Sequence, residues 1–325
     1  MTRPTGRVMP AKANGADDPA GRPEAALMTP YTPAATAMDA QSNLRGSLWM
    51  IAAMAFFAFE DTVIKTASAT IPVGQVLIVF GLGGAIVFAA LARAGGQPLF
   101  TRDVLAPAMR IRVVFEVTGR LFYILAIALI PLSAATVILQ ATPLVVVAGA
   151  ALVFGERVGW QRWAAIPIGL SGVLLILQPG TESFTLPSVL AVIGMIGFAG
   201  RDLASRAAPA TLGTQVLGFY GFVAVTIAGT AFALWQGAAF VVPGRTAAAC
   251  LAAAVVVGVA AYACLMKAMR TGDVSAVTPF RYTRLLFGVA LGVLIFDEAL
   301  TPATLAGSGL IVLSGLLIRL RRRAA

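Results

Sequence analysis

Ten apolar runs of about 20 residues follow one another between residues 46 and 320, each long enough to cross the hydrocarbon of a bilayer as a helix. They fall near 46–67, 72–92, 111–130, 133–154, 161–178, 186–206, 212–234, 247–269, 274–296 and 302–320. In lipid a backbone N–H or C=O finds no water, so such runs must be helices that satisfy their own hydrogen bonds. The gaps at Pro131–Leu132 and Pro179–Thr185 are short, which forces neighbouring runs into antiparallel hairpins. The expected fold is an all-α integral membrane protein of ten transmembrane helices.

Composition agrees with this reading and removes its competitors. Hydrophobic residues make up 59% of the 325 and charged residues only 12%, too few to clothe a soluble domain of this length. The net charge of +10 does not point to nucleic acid, because Lys and Arg gather in the short gaps between apolar runs. With the N-terminus inside, all but five of the 24 basic residues fall on the inner side. The five are Lys65 and Arg245 outside, and Arg120, Arg281 and Arg284 within runs. The asymmetry predicts a multi-pass protein of the inner (plasma) membrane with both termini cytoplasmic. All four tryptophans, Trp49, Trp160, Trp163 and Trp235, stand at run boundaries, where an amphipathic ring prefers to lie. The terminal Arg319, Arg321, Arg322 and Arg323 should meet anionic lipid headgroups.

Residues 1–44 read as a disordered cytoplasmic tail, since they hold too little apolar surface to offset the entropy of ordering. The remainder divides into halves, 45–180 and 181–325, that match each other at an offset of about 142. Residues 133–156 read SAATVILQATPLVVVAGAALVFGE and 275–298 read SAVTPFRYTRLLFGVALGVLIFDE. Ser133 meets Ser275, Thr136 meets Thr278, and Glu156 meets Glu298; near offset 141, Asp61 meets Asp202 and Lys65 meets Arg206. Five runs per half is an odd number, so the second half must enter the membrane upside down. Inverted repeats of this kind characterise secondary transporters, whose substrate site lies between the repeats near the midplane.

On these residues the chain resembles the drug/metabolite transporter superfamily, specifically its ten-helix EamA-type branch. The resemblance rests on the two stretches quoted above, followed by GLSGVLLIL and VLSGLLIRL, and covers residues 46–320. It implies two EamA repeats and transport of small organic solutes by alternating access. Relatives of this type export amino acids or metabolites, and some take up compounds such as riboflavin or S-adenosylmethionine. One departure is Asp297, where the first half has Gly155, so the Gly-Glu pair occurs only once.

Ionisable side chains inside apolar runs are the sharpest pointers to a site, each costing about 2.5–3.5 kcal/mol at the centre of a bilayer unless shielded. They are Glu60, Asp61, Glu116, Arg120, Arg201, Asp202, Arg281 and Arg284, formally four against four. Spacing of i,i+4 predicts local pairs Glu116–Arg120, Asp61–Lys65 and Asp202–Arg206. Two readings compete for Glu60, Asp61, Arg201 and Asp202: ion pairs that fix helix packing, or groups that couple transport. Arg281 and Arg284, beside Phe280 and Tyr282, are candidates to hold a carboxylate or phosphate on an apolar body. Arg120, Glu116 and Gln140 reach a similar depth and complete the candidate substrate site. Pro143 and Pro279 interrupt their runs and are candidate hinges.

No cofactor or metal is expected. The chain has no histidine, and its two cysteines, Cys250 and Cys264, lie in apolar runs. The G-x-x-x-x-G-K-[ST] phosphate loop is missing, so nucleotide does not drive transport directly. A proton relay would fall to Glu60, Asp61, Glu116 or Asp202, whereas exchange or uniport needs none. The competing classes are an integral-membrane enzyme, which would need a nucleophile with its base or a carboxylate cluster that this sequence does not offer, and a non-transporting scaffold or sensor. The expected partners are a small-molecule substrate and the lipid bilayer.

Overall fold

A computed structural model describes residues 33–154, 160–178, 185–209, 211–271 and 277–319. Among these residues the structure is helical throughout and contains no strand. The α-helices are α1 (Pro33–Ser68), α2 (Val73–Ala94), α3 (Pro107–Leu129), α4 (Leu132–Leu139), α5 (Thr142–Phe154) and α6 (Trp160–Leu177). The later ones are α7 (Leu186–Arg206), α8 (Thr214–Gln236), α9 (Arg245–Thr271), α10 (Thr283–Phe296) and α11 (Pro302–Arg319). Short 3-10 turns cover Arg102–Leu105 and Thr278–Tyr282. Among the described residues, six stretches suffice by length and apolar composition alone to cross a membrane: α1, α2, α4 with α5, α7, α8 and α9. The 23-residue α3 has the length but carries Arg110, Arg112, Glu116 and Arg120.

At the N-terminal end one expectation is modified. Residues 33–44, assigned above to the tail, are helical and run straight into α1. The basic C-terminus expected at lipid headgroups lies outside the described residues beyond Arg319.

The helices pair across the two halves of the chain. The closest partners are α1 with α9, α2 with α8, α3 with α7 and α6 with α11. Next come α1 with α10, α5 with α7, α3 with α8, α2 with α9 and α4 with α10. Every one of these pairs joins a helix before residue 180 to one after residue 185. Lipid tails are as apolar as the helix surfaces, so close van der Waals packing rather than water exclusion must hold such pairs. Glycine makes it possible: a Cβ on Gly119 would stand 2.9 Å from the Phe198 nitrogen of α7, and one on Gly307 would stand 2.6 Å from the Gly172 oxygen of α6. The core behind these contacts contains Phe80, Tyr123, Ile127, Ile138 and Leu144, all fully buried.

Two of the apolar runs are broken in their middles. The run 133–154 becomes α4 and α5, parted at Gln140–Ala141, and the described part of the run 274–296 becomes a 3-10 turn followed by α10. At the offset of 142, Gln140 corresponds to Tyr282, so the two breaks occupy matching positions. Pro143 stands in the first turn of α5, where its missing N–H has no helical partner to lose. The prolines begin helical segments here rather than kink continuous ones.

Candidate functional site

The buried charges meet in two groups, and an arginine of each reaches the Phe198 ring. Adjacent residues of a helix diverge by about 100°, so Glu60 and Asp61 of α1 reach different neighbours. Glu60 Oε1 accepts from Arg120 Nη1 of α3 at 2.8 Å. Asp61 Oδ2 accepts from Arg284 Nη2 of α10 at 2.6 Å and from the Tyr123 hydroxyl at 3.0 Å. Both carboxylates are 1% exposed. Arg120 lies over the Phe80 and Phe198 rings, and Arg284 over Phe57 and Tyr123, each guanidinium shielded by aromatic faces.

The second group centres on Glu116 of α3, which lies 3.4 Å from Arg112 and 3.4 Å from Arg201 of α7. Arg201 places two nitrogens on Asp202 Oδ1, at 2.8 and 3.0 Å, and lies over the Phe198 ring. Arg281 approaches the other Asp202 oxygen only to 3.8 Å, beyond hydrogen-bond length. Arg112 Nε donates to Ser205 Oγ at 2.9 Å. The side chains of this group open progressively: Glu116 is 5% exposed, Arg201 and Asp202 23%, and Arg281 30%.

Two expectations from spacing need correction, and a third falls on a side chain outside the described residues. Glu116 does not pair with Arg120 but with Arg112, four residues earlier, and with α7; Arg120 is taken by Glu60. Asp61 pairs with Arg284 rather than Lys65. Asp202 engages Arg201 and Arg281, while the side chain of Arg206 lies outside the described residues. A helix-surface count cannot see a partner on another helix, and in each case the partner from another helix is present. The expected four-to-four balance also fails. Arg112 sits inside at 3% exposure because α3 begins at Pro107, so five guanidiniums face four carboxylates.

Gln140 and Arg281 are joined directly. From the break in the first run, Gln140 Nε2 donates to the Arg281 carbonyl at 3.0 Å, in the break of the second. Among the described residues, the Tyr282 hydroxyl, Arg284 Nε, Arg120 Nε, Arg112 Nη1 and Glu60 Oε2 are buried and find no hydrogen-bond partner. Buried polar atoms in folded proteins are nearly always satisfied, so this concentration marks a place built for more than packing. Among the described residues no three His, Cys, Asp or Glu side chains gather as a metal site would require.

A third arrangement was not anticipated from the residues. Lys65 Nζ donates to the carbonyls of Ile127 and Ile130 at 2.9 and 2.6 Å, at the end of α3. Glu298 accepts from the N–H groups of Leu132 and Ser133 at 2.5 and 2.9 Å, at the start of α4, and stands 3.8 Å from Lys65. Each charge suits the helix end it meets, cation at the C-terminus and anion at the N-terminus. Asp297 adopts φ 51°, the left-handed conformation usual for glycine and tolerated by Asp, and Glu298 N donates to Gly292 O at 3.2 Å. The change from Gly-Glu to Asp-Glu therefore preserves this turn. The recurrence of Glu156 as Glu298 was the available clue.

A helical bundle that presents apolar helices to a bilayer while keeping paired charges inside has the build of a membrane transporter. The profile of the EamA-like transporter family matches residues 44–178 and again 185–320, and the chain belongs to that family. A pseudopaline exporter of Pseudomonas aeruginosa is 29% identical over 271 residues, 82% of this chain and 93% of the exporter. A riboflavin transporter of Vibrio cholerae is 29% identical over 290 residues, 83% of this chain and 91% of its own. An S-adenosylmethionine uptake transporter of Rickettsia prowazekii is 25% identical over 188 residues, 58% of this chain and 63% of its own. A solved crystal structure superposes with a TM-score of 0.58 at 21% identity, covering 85% of this chain and 99% of its own, a likeness of fold. This protein is a multi-pass membrane transporter of small molecules and not an enzyme.

Proposed function

We propose that the protein moves a small organic metabolite carrying a carboxylate or other anionic group, by alternating access between two inverted five-helix halves. The observation that carries the anionic preference is Arg281. It lies where the two broken runs meet, is the most exposed guanidinium of the cluster, and is held by Asp202 only at 3.8 Å. A solute anion can exchange for that weak contact and bridge toward Arg201, while its body rests against Tyr282. The surplus of one guanidinium over the four carboxylates gives the anion a net positive field. Asp202 offers a counter-charge to any amino group on the same solute. Glu116 and Gln140 support this site, whereas Arg120, Arg284, Asp61 and Glu60 form the more deeply buried group. That the matched relatives handle pseudopaline, riboflavin and S-adenosylmethionine supports a metabolite-sized organic substrate.

The inverted ten-span architecture is supported by the pairing pattern. Exchanging each helix for its repeat counterpart turns the α1–α9 pair into α7–α3, the α1–α10 pair into α7–α5, and α3–α8 into α9–α2. The pairs α2–α8 and α6–α11 map onto themselves. Charge asymmetry then orients the bundle in the inner (plasma) membrane with both termini cytoplasmic.

The test is flux in proteoliposomes containing only this protein, screened with amino acids, dicarboxylates and phosphorylated metabolites. Arg281→Gln should lower flux of the responsive solute at least about tenfold, the scale of one lost charge-assisted hydrogen bond, at unchanged melting temperature. Normal flux in Arg281→Gln, or a response confined to cationic solutes, would overturn the anion reading.

A further inference from the structure

Away from the charge cluster, the connection between α2 and α3 forms an open cleft of about 720 Å³. Its floor is apolar, from Val104, Leu105, Met109 and Val113, and Arg102 and Arg110 stand at its rim. The cleft lies at the end of α2, the first turns of α3 and the early part of α8 that carries Tyr220. It therefore sits where spans leave the hydrocarbon. Phe100 and Leu105 are 81% and 70% exposed on this elbow, apolar surface left uncovered by the described residues.

Both rim arginines are exposed, and among the described residues neither forms an ion pair. Asp103, beside Arg102, accepts from the Thr211 hydroxyl at 2.5 Å, and among the described residues it pairs with neither arginine. Tyr220 donates its hydroxyl to the Leu99 carbonyl at 3.0 Å, fixing the strand of chain that leads into the cleft.

We infer that this elbow is a binding site for an anionic phospholipid of the surrounding bilayer. The phosphate lies between Arg102 and Arg110, and the upper acyl chain covers the apolar floor. Guanidinium and phosphate pair geometrically as well as by charge. The apolar floor gives a free phosphate nothing to bury, which selects a lipid over an aqueous anion. A zwitterionic headgroup would bring its ammonium against two arginines, which selects an anionic lipid over phosphatidylcholine. The arginine-rich C-terminus would be repelled by the same rim. The N-terminal residues 1–32, with Asp17, Asp18 and Glu24, are the competing occupant to exclude.

The full-length protein, purified in mild detergent, is titrated with phosphatidylglycerol or phosphatidylcholine and bound lipid counted by native mass spectrometry. Phosphatidylglycerol should be retained at least about tenfold better than phosphatidylcholine. Arg102→Gln with Arg110→Gln should remove that preference, while Arg93→Gln, an exposed arginine outside the cleft, should keep it. The two single variants, read separately, should each lower the preference and serve if the double variant folds poorly. Millimolar inorganic phosphate should not displace the lipid. Equal retention of both lipids, a preference intact in the double variant, or displacement by phosphate would overturn the site. So would a rise in lipid binding when residues 1–32 are removed, because the tail would then be its natural occupant.

Discussion

Arg281 and Arg284 stand three residues apart and have different work to do. Arg284 is bonded to Asp61 at 2.6 Å, covered by two aromatic faces and only 14% exposed, so its charge is committed to a partner. Removing it strands a carboxylate that is 1% exposed. Arg284→Gln should therefore destabilise the bundle by about 3–5 kcal/mol, read as a fall in melting temperature or denaturant midpoint. Asp61→Asn on that background should recover much of the loss, whereas Glu116→Gln should not, because Glu116 answers to Arg112 and Arg201. Loss of flux at full stability in Arg284→Gln would instead return this arginine to the substrate site. The cluster's members were legible in the sequence because an ionisable group in an apolar run is conspicuous. Their pairing was not: Glu60 meets Arg120 across 60 positions and Asp61 meets Arg284 across 223, distances that no periodicity encodes. Arg112 escaped notice because its run was read from residue 111, whereas α3 starts a full turn earlier at Pro107.

Helix ends carry the next level of organisation. Lys65 and Glu298 come from α1 and from the chain just after α10, yet they close the junction between α3 and α4. Glu298→Ala leaves two N–H groups without their acceptor and Lys65 without its carboxylate. Stability should fall by about 1–2 kcal/mol, within the range for a lost helix cap and its charge. The amides of Leu132 and Ser133 should exchange hydrogen faster than in the parent, a change that a diffuse loss of stability would not confine to α4. Unchanged exchange there would show that α4 is held by packing alone. Run lengths located the helices well because crossing hydrocarbon demands about 20 apolar residues. They could not locate the breaks at Gln140–Ala141 and Thr278–Tyr282, since the runs stay apolar through them and only Pro143 and Pro279 hint at an interruption.

Across the whole molecule, the pairing of helices between halves bears on how the chain crosses the membrane. Each half holds five apolar runs, and each of the strongest pairs joins one half to the other. If the halves entered the membrane in the same direction, their junction and the C-terminus would share a side, and an even number of spans would separate them. Five spans require opposite sides. A reporter inserted between Thr181 and Glu182 should therefore be extracytoplasmic, while one fused after Ala325 should be cytoplasmic, read by paired phosphatase and fluorescent-protein fusions. The basic residues argue for the same sides, since Arg157 and Arg162 follow Glu156 whereas no basic residue follows Glu298 until Arg319. Removing residues 1–32 from the fusions should leave both readings unchanged, because the inner-side excess of Lys and Arg survives without the tail. Both reporters on one side would remove the inverted arrangement. It would also require a span count other than five between residues 181 and 325, most directly by one of the short helices α10 and α11 failing to cross.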